Sequence, residues 1–192
     1  MSRWSSHHTP VFGSRQSAKT ASDVMLGASA ALYGVTALAA PSYQHDWYGN
    51  KARGLAMGAG AAIATEGVVA GLKQGLGRKR PDDSGNDSFP SGHAALTTLS
   101  ATMTTRTIDT LPLSDASQVT LKAAAIGLSV GTDYARVEAQ KHYLSDVLVG
   151  AAIGHFMGAI VDKAFLGVQP DRFVPSVELS RHGGTLGFQA SF

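Results

Sequence analysis

The sequence predicts a mainly α protein: a single helical bundle of about five to six core helices with a C-terminal β-hairpin. Three observations predict it. Long runs rich in Ala, Gly, Leu and Val are separated by Pro, Gly and helix-capping residues. Charged residues make up only 16% of the 192, against about 25% in an average soluble domain. The last twenty residues instead alternate apolar and polar side chains, which is the period of a strand. The length suits one domain. It divides into a polar N-terminal tail (1–20), a helical domain (21–168) and a hairpin extension (169–192).

Residues 1–20 are polar and without periodicity, and the pair His7–His8 carries no assignment. A first helix is expected from about Ser22 to Ala39, starting near an Asp23 cap and stopped by Pro41. Residues 41–50 form a loop whose Trp47 and Tyr48 suit either the core or a membrane interface. A second helix runs from about Lys51 to Gln74 and delivers Lys73 near its end. The loop 75–90 carries Asp82, Asp83 and Asp87. A third helix follows Gly92 to about Ile108. Pro112 breaks the pattern, a fourth helix covers about Ser117 to Asp133, and a fifth about Gln140 to Leu166. In the final segment, RFVPSVELS and TLGFQASF are separated by Arg181–His182–Gly183–Gly184, read as a hairpin turning on the glycines.

Three short segments carry chemistry. In the first, Lys73 closes a helix and Arg80 lies seven residues on, before Pro81. Both reach one anion without competing for space, while Arg78 and Lys79 are expected to be solvated. In the second, Pro90–Ser91–Gly92–His93 opens an apolar helix with Ser91 as N-cap. The free N–H groups and positive dipole end of such a helix bind phosphate, and Gly92 lets the backbone come close. His93 then stands beside the anion as a general acid and base. In the third, His142 and Asp146 are four apart, on one face if helical, with Arg136 six residues earlier. A carboxylate on Nδ1 would leave Nε2 free to attack phosphorus, and a guanidinium would grip two phosphoryl oxygens. Each segment alone also fits a plainer role: a basic helix end, a capped helix with an incidental His, an exposed His–Asp pair.

Together, in this order and spacing, they resemble the type 2 phosphatidic acid phosphatase superfamily. That superfamily includes bacterial nonspecific acid phosphatases, lipid phosphate phosphatases and vanadium haloperoxidases. Its pattern, K-x(6)-R-P, then P-S-G-H, then S-R-x(5)-H-x(3)-D, is matched from Lys73 to Asp146 except that Ala135 replaces the serine. The resemblance implies His142 as nucleophile, Asp146 as its partner and His93 as acid–base. It implies Lys73, Arg80, Ser91, Gly92 and Arg136 as phosphate-binding residues. It implies no metal and no cofactor, charge being met by cations and helix N–H groups. Ala135 removes one hydroxyl from the expected phosphate shell.

The expected activity is hydrolysis of a phosphomonoester or diphosphate of a lipid through a phosphohistidine. A broad-specificity soluble acid phosphatase is the alternative; a vanadate-dependent haloperoxidase and a non-catalytic scaffold stand behind it. The partner is a phosphorylated small molecule or lipid. A net charge of +2 without a basic stripe excludes nucleic acid as an expected partner. Absent cysteine is compatible with a bacterial periplasm or envelope. The apolar runs Val24–Ala40 and Val147–Val161 approach the length of a membrane span but are rich in Ala and Gly. The sequence therefore favours a soluble or peripherally membrane-bound protein over an integral one.

Overall fold

The computed structural model describes residues 10–42 and 47–166, and the backbone of 173–180 and 183–190. Five α-helices build the folded body: α1 (Arg15–Ala39), α2 (Trp47–Leu76), α3 (Gly92–Ile108), α4 (Asp115–Glu138) and α5 (Leu144–Val161). A π-helical turn, Asp162–Leu166, extends α5.

Local signals explain most boundaries. Ser14 caps α1 by accepting the Ser17 N–H, so the helix starts seven residues before the expected Ser22. Asp23 is thus not a cap but lies within α1. Ser91 caps α3 through Ala94 N–H, and Ser114 caps α4 through Ser117 N–H. The α4 helix runs five residues past the expected Asp133 and takes Arg136 into its last turn. Gln140, at φ 55°, then breaks the chain direction. The fifth helix begins at Leu144 rather than Gln140, so His142 sits in the turn before it. Tyr143 N–H is met by the Asp146 carboxylate at 2.9 Å, which closes the first turn of α5.

The central element is α3, which packs on α1, α2, α4 and α5. Tyr33, Ala37, Ala61, Leu99, Met103 and Val161 form an apolar core between α1, α2, α3 and α5. The α3–α5 contact is the most extensive between helices, and a row of glycines on α5 permits it. A methyl group on Gly150 would lie 2.4 Å from the Ser91 carbonyl oxygen, and one on Gly154 would lie 2.0 Å from that of Ala95. Small residues spaced by four let two helix backbones approach. Here they bring the N-terminal ends of α3 and α5 together, where Ser91 N–H donates to Asp146 O at 2.9 Å.

The expected fold requires one correction. The body is all helical, and no strand takes part in it. Residues 173–180 and 183–190 pair antiparallel with each other, Phe173 opposite Ala190 and Ser180 opposite Gly183, and neither segment is among the elements that pack the helices together. Gly183 and Gly184 lie within the second of these segments rather than forming the turn. Among the described residues the bundle closes its core with helices alone, so these paired segments are not a component of it. Residues 1–9, with His7 and His8, lie outside the described residues, as do 43–46, 167–172, 181–182 and 191–192.

Among the described residues, three segments are long and apolar enough to cross a membrane: Arg15–Ala39, Trp47–Leu76 and Leu144–Ala164. Their outward faces carry exposed Val24, Val35, Ile63, Leu148, Phe156 and Ile160. At about 1.5 Å per residue, the 25 residues of α1 span more than the ~30 Å hydrocarbon core of a bilayer. A water-facing bundle would place charge on these faces. These exposed apolar faces fit membrane association, and total composition, on which the sequence preference for a soluble or peripheral protein rests, hides which side of each helix is apolar. Trp47 and Tyr48 do not pack into the core: both are exposed and meet edge to face at 4.8 Å.

Candidate active site

A cavity of about 320 Å³ opens between the helix ends. Lys73 reaches it from the last turn of α2, Arg80 from the following loop, Gly92 and His93 from the first turn of α3 and Arg136 from the last turn of α4. His142 reaches it from the turn before α5, and Leu26, Glu66 and Leu96 complete the wall. Six of the eight residues expected from the sequence therefore line one space. Ser91 and Asp146 are fully buried beneath it.

His142 is held in one tautomer. Its Nδ1 is 2.6 Å from the Ser88 carbonyl oxygen, which only accepts, so Nδ1 carries the proton. Nε2 is then the basic nitrogen, and Arg136 Nη2 lies 3.3 Å from it. Burial pushes the imidazole from its ordinary 6.5 down to about 3, helped by the charges of Arg136, Arg80 and Lys73 and opposed by the Ser88 carbonyl. A value that low leaves the His142 ring neutral near pH 7, with the proton on Nδ1 and the lone pair on Nε2. Arg136 is buried, donates Nη1–H to Ser22 Oγ at 3.3 Å, and leaves Nε without a partner among the described residues. A buried guanidinium N–H beside two further cations is suited to an oxyanion.

The profile of the PAP2 superfamily matches residues 54–167. The chain belongs to the PAP2 superfamily. It is 34% identical over 145 residues to decaprenylphosphoryl-5-phosphoribose phosphatase of Mycobacterium tuberculosis (strain ATCC 25618 / H37Rv), covering 71% of each chain. It is also 34% identical over 96 residues to lipid A 1-phosphatase of Porphyromonas gingivalis (strain ATCC 33277), covering 49% of this chain and 20% of that one. No solved structure matches the chain at a significant level.

Within this PAP2 site the expected Asp146–His142 contact requires correction. His142 Nδ1 bonds to Ser88 O, and the Asp146 carboxylate instead accepts from Ser88 Oγ at 2.5 Å, Tyr143 N–H at 2.9 Å and Arg78 Nη1 at 2.6 Å. The reason is the helix boundary. With His142 outside α5, the four-residue spacing no longer places both side chains on one helical face. Asp146 bears on the imidazole through Ser88, which links the two by its hydroxyl and its carbonyl.

Arg78, expected to be solvated, binds Asp146, donates to Ser145 Oγ at 2.9 Å and lies over the Tyr143 ring at 4.3 Å. Lys79 is solvated as expected, paired with exposed Asp83. Ala135 is buried and does not itself line the cavity.

Four further residues escaped the sequence reading. Ser88 supplies the carbonyl for His142. Asp87 grips Arg80 by two bonds, Nε–Oδ1 at 2.7 Å and Nη2–Oδ2 at 2.8 Å. Glu66 brings an oxygen to 3.1 Å from where a methyl on Gly92 would stand, so only glycine fits there without a shift. Asp23 meets His93 Nε2 at 2.8 Å. Glu66 interrupts an apolar run with a lone carboxylate, a signal readable in the sequence, whereas Asp23 stands at the polar edge of the run Val24–Ala40 and carries no such signal.

Proposed function

We propose that this chain is a metal-independent phosphatase that hydrolyses a lipid-linked phosphomonoester through a phosphohistidine intermediate. That it is a phosphoric ester hydrolase of lipid-phosphatase kind rests on its superfamily and its named relatives. The observation that carries the mechanism is the convergence of His142 Nε2 with Lys73, Arg80 and Arg136 on one cavity, with His93 on its wall.

The phosphoryl group enters among the three cations. Arg136 turns its N–H groups from His142 Nε2 to the phosphoryl oxygens and so frees the lone pair. Nε2 forms an N–P bond, the ester P–O bond breaks, and the leaving oxygen takes a proton from His93. Water then attacks phosphorus and gives its proton to His93, and the N–P electron pair returns to His142. Ser88 O holds the Nδ1–H throughout, with Asp146 anchoring Ser88. Lys73, Arg80, Arg136 and the N–H groups of α3 around Gly92, above the Ser91 cap, stabilise the charge of the transition state.

Helices α1, α2 and α5 embed in the bilayer, which brings the cavity and its Leu26 and Leu96 wall to the lipid headgroup level. The lipid class of both relatives supports the same substrate. An envelope location, with the site on the periplasmic side, is part of this proposal.

Phosphate release in EDTA tests it, from a polyprenyl or diacyl phosphate in detergent micelles with p-nitrophenyl phosphate alongside. Release that survives EDTA, favours the lipid and vanishes in His142→Ala is the expected result. Lipid hydrolysis retained in His142→Ala would overturn the nucleophile, and a strong preference for p-nitrophenyl phosphate would overturn the lipid substrate.

A further inference from the structure

The acid–base residue of the proposed reaction is itself held by a group from outside the three motifs. Asp23 lies on α1, ahead of the residues 54–167 that the superfamily profile matches. Its Oδ1 is 2.8 Å from His93 Nε2. The helices that carry them, α1 and α3, pack against each other, so the contact joins two elements of the bundle. A mid-helix carboxylate in a segment apolar enough to span a membrane is costly unless it has a partner. Its partner here is the ring of His93.

We propose that Asp23 is the positioning residue of His93. It holds Nε2–H on the α1 side and thereby presents Nδ1 to the leaving-group oxygen. The inference rests on the phosphatase reading above and adds the choice of nitrogen and a carboxylate that opposes the loss of charge which burial, Arg136 and Lys73 impose on His93. In the first step Nδ1–H gives its proton to the ester oxygen as the P–O bond breaks, and Nε2–H stays on Asp23. In the second, the Nδ1 lone pair takes a proton from the attacking water as the O–P bond forms and the N–P bond breaks. Asp23 itself neither gains nor loses a proton.

The remaining charges around His93 make the carboxylate necessary. Lys73 and Glu66 of α2, Arg136 of α4, and Arg80 and His142 line the same cavity. Three of these are cations that oppose a second positive charge on His93, and Asp23 is the carboxylate bonded to its ring.

The test is Asp23→Asn, with Asp23→Glu as the conservative variant, in the detergent-solubilised full chain. In Asp23→Asn, kcat for an alkyl phosphate should fall ten- to a hundredfold, the range of a weakened acid catalyst. Turnover of p-nitrophenyl phosphate, whose leaving group needs little protonation, should change less than about threefold, with KM unchanged for both. The basic limb of kcat/KM should move to lower pH, and Asp23→Glu should restore part of both effects. A uniform loss for both substrates, or a pH profile that does not move, would overturn the proposal. A readout free of turnover is the His93 imidazole titration followed by NMR in the His142→Ala background. It should shift to lower pH with Asp23→Asn, and an unchanged titration would overturn the proposal. Loss of wild-type turnover in His142→Ala is scored separately, so failure of the phosphatase reading and failure of the Asp23 role are told apart.

Discussion

Arg80 and Asp87 face each other as a two-pronged ion pair, and the carboxylate stands where a phosphoryl group would meet the guanidinium. Asp87 Oδ2 also lies 3.9 Å from Lys73 Nζ. The hydrogen bonds from Arg80 hold the Asp87 carboxyl down at about 2, so it stays ionised throughout the working range. One of the three cations that line the cavity is thus already matched by a carboxylate. Replacing Asp87 by alanine should release Arg80 and strengthen binding of phosphate and orthovanadate. The expected change is roughly three- to tenfold in inhibition constant, the scale of a half-exposed ion pair. Product release should slow in step. Weaker vanadate inhibition in Asp87→Ala would show that Asp87 positions Arg80 rather than competing for it.

Asp146 has no exposed surface and depends on Arg78 for its charge partner. Arg78→Ala leaves a buried carboxylate with Ser88 Oγ, Tyr143 N–H and a long bond from Ser145 Oγ, and no charge partner. A stability loss of roughly 1–3 kcal/mol is expected, below that of a wholly buried pair because the Arg78 side chain is 40% exposed. Activity should fall as well, since Ser88 carries the orientation of His142. Thermal unfolding in detergent together with kcat measures both. Unchanged unfolding with reduced kcat would mean that Arg78 meets the substrate.

Gly154 and Gly127 offer a paired test of helix packing. A methyl on Gly154 would press into the Ala95 backbone, whereas one on Gly127 meets nothing within 4 Å. Gly154→Ala should destabilise by about 1–3 kcal/mol and lower turnover, because it parts the two helix ends that bear Ser91 and Asp146. Gly127→Ala should be neutral or stabilising by up to ~1 kcal/mol through helix propensity. Equal melting points for the two variants would remove the argument that the α3–α5 approach positions the site.

His142 links stability to pH. Its folded value of about 3 lies below the ordinary 6.5. Between those values the unfolded chain takes up a proton that the folded chain refuses, so stability falls as pH drops from 6.5 towards 3 and is fully present above 6.5. His142→Gln should flatten that part of the profile. Denaturant unfolding from pH 7 to pH 4 in both proteins checks it, and parallel slopes would show that His142 is not buried neutral. Bound vanadate, by offsetting the three cations, should also reduce the slope.

The helical character, the α3 cap at Ser91 and the set Lys73, Arg80, Gly92, His93, Arg136 and His142 were legible from residue order. Caps and periodicity act over one to four residues, and the motif spacings record which chemistry each helix end must deliver. The start of α5 was legible less well. The left-handed turn at Gln140 is not a glycine, and its effect was to move His142 off the helix and away from Asp146.

What tertiary structure alone decided are the contacts between residues far apart in the chain. Ser88 reaches His142 across 54 positions, Arg78 reaches Asp146 across 68 and Asp23 reaches His93 across 70. No local period encodes such pairs; they exist because glycines at 150 and 154 let α5 settle on α3, and because α1 packs on α3. The apolar outer faces belong to the same class. Composition counts how many apolar residues a helix has, but only packing decides which of them the other helices leave uncovered.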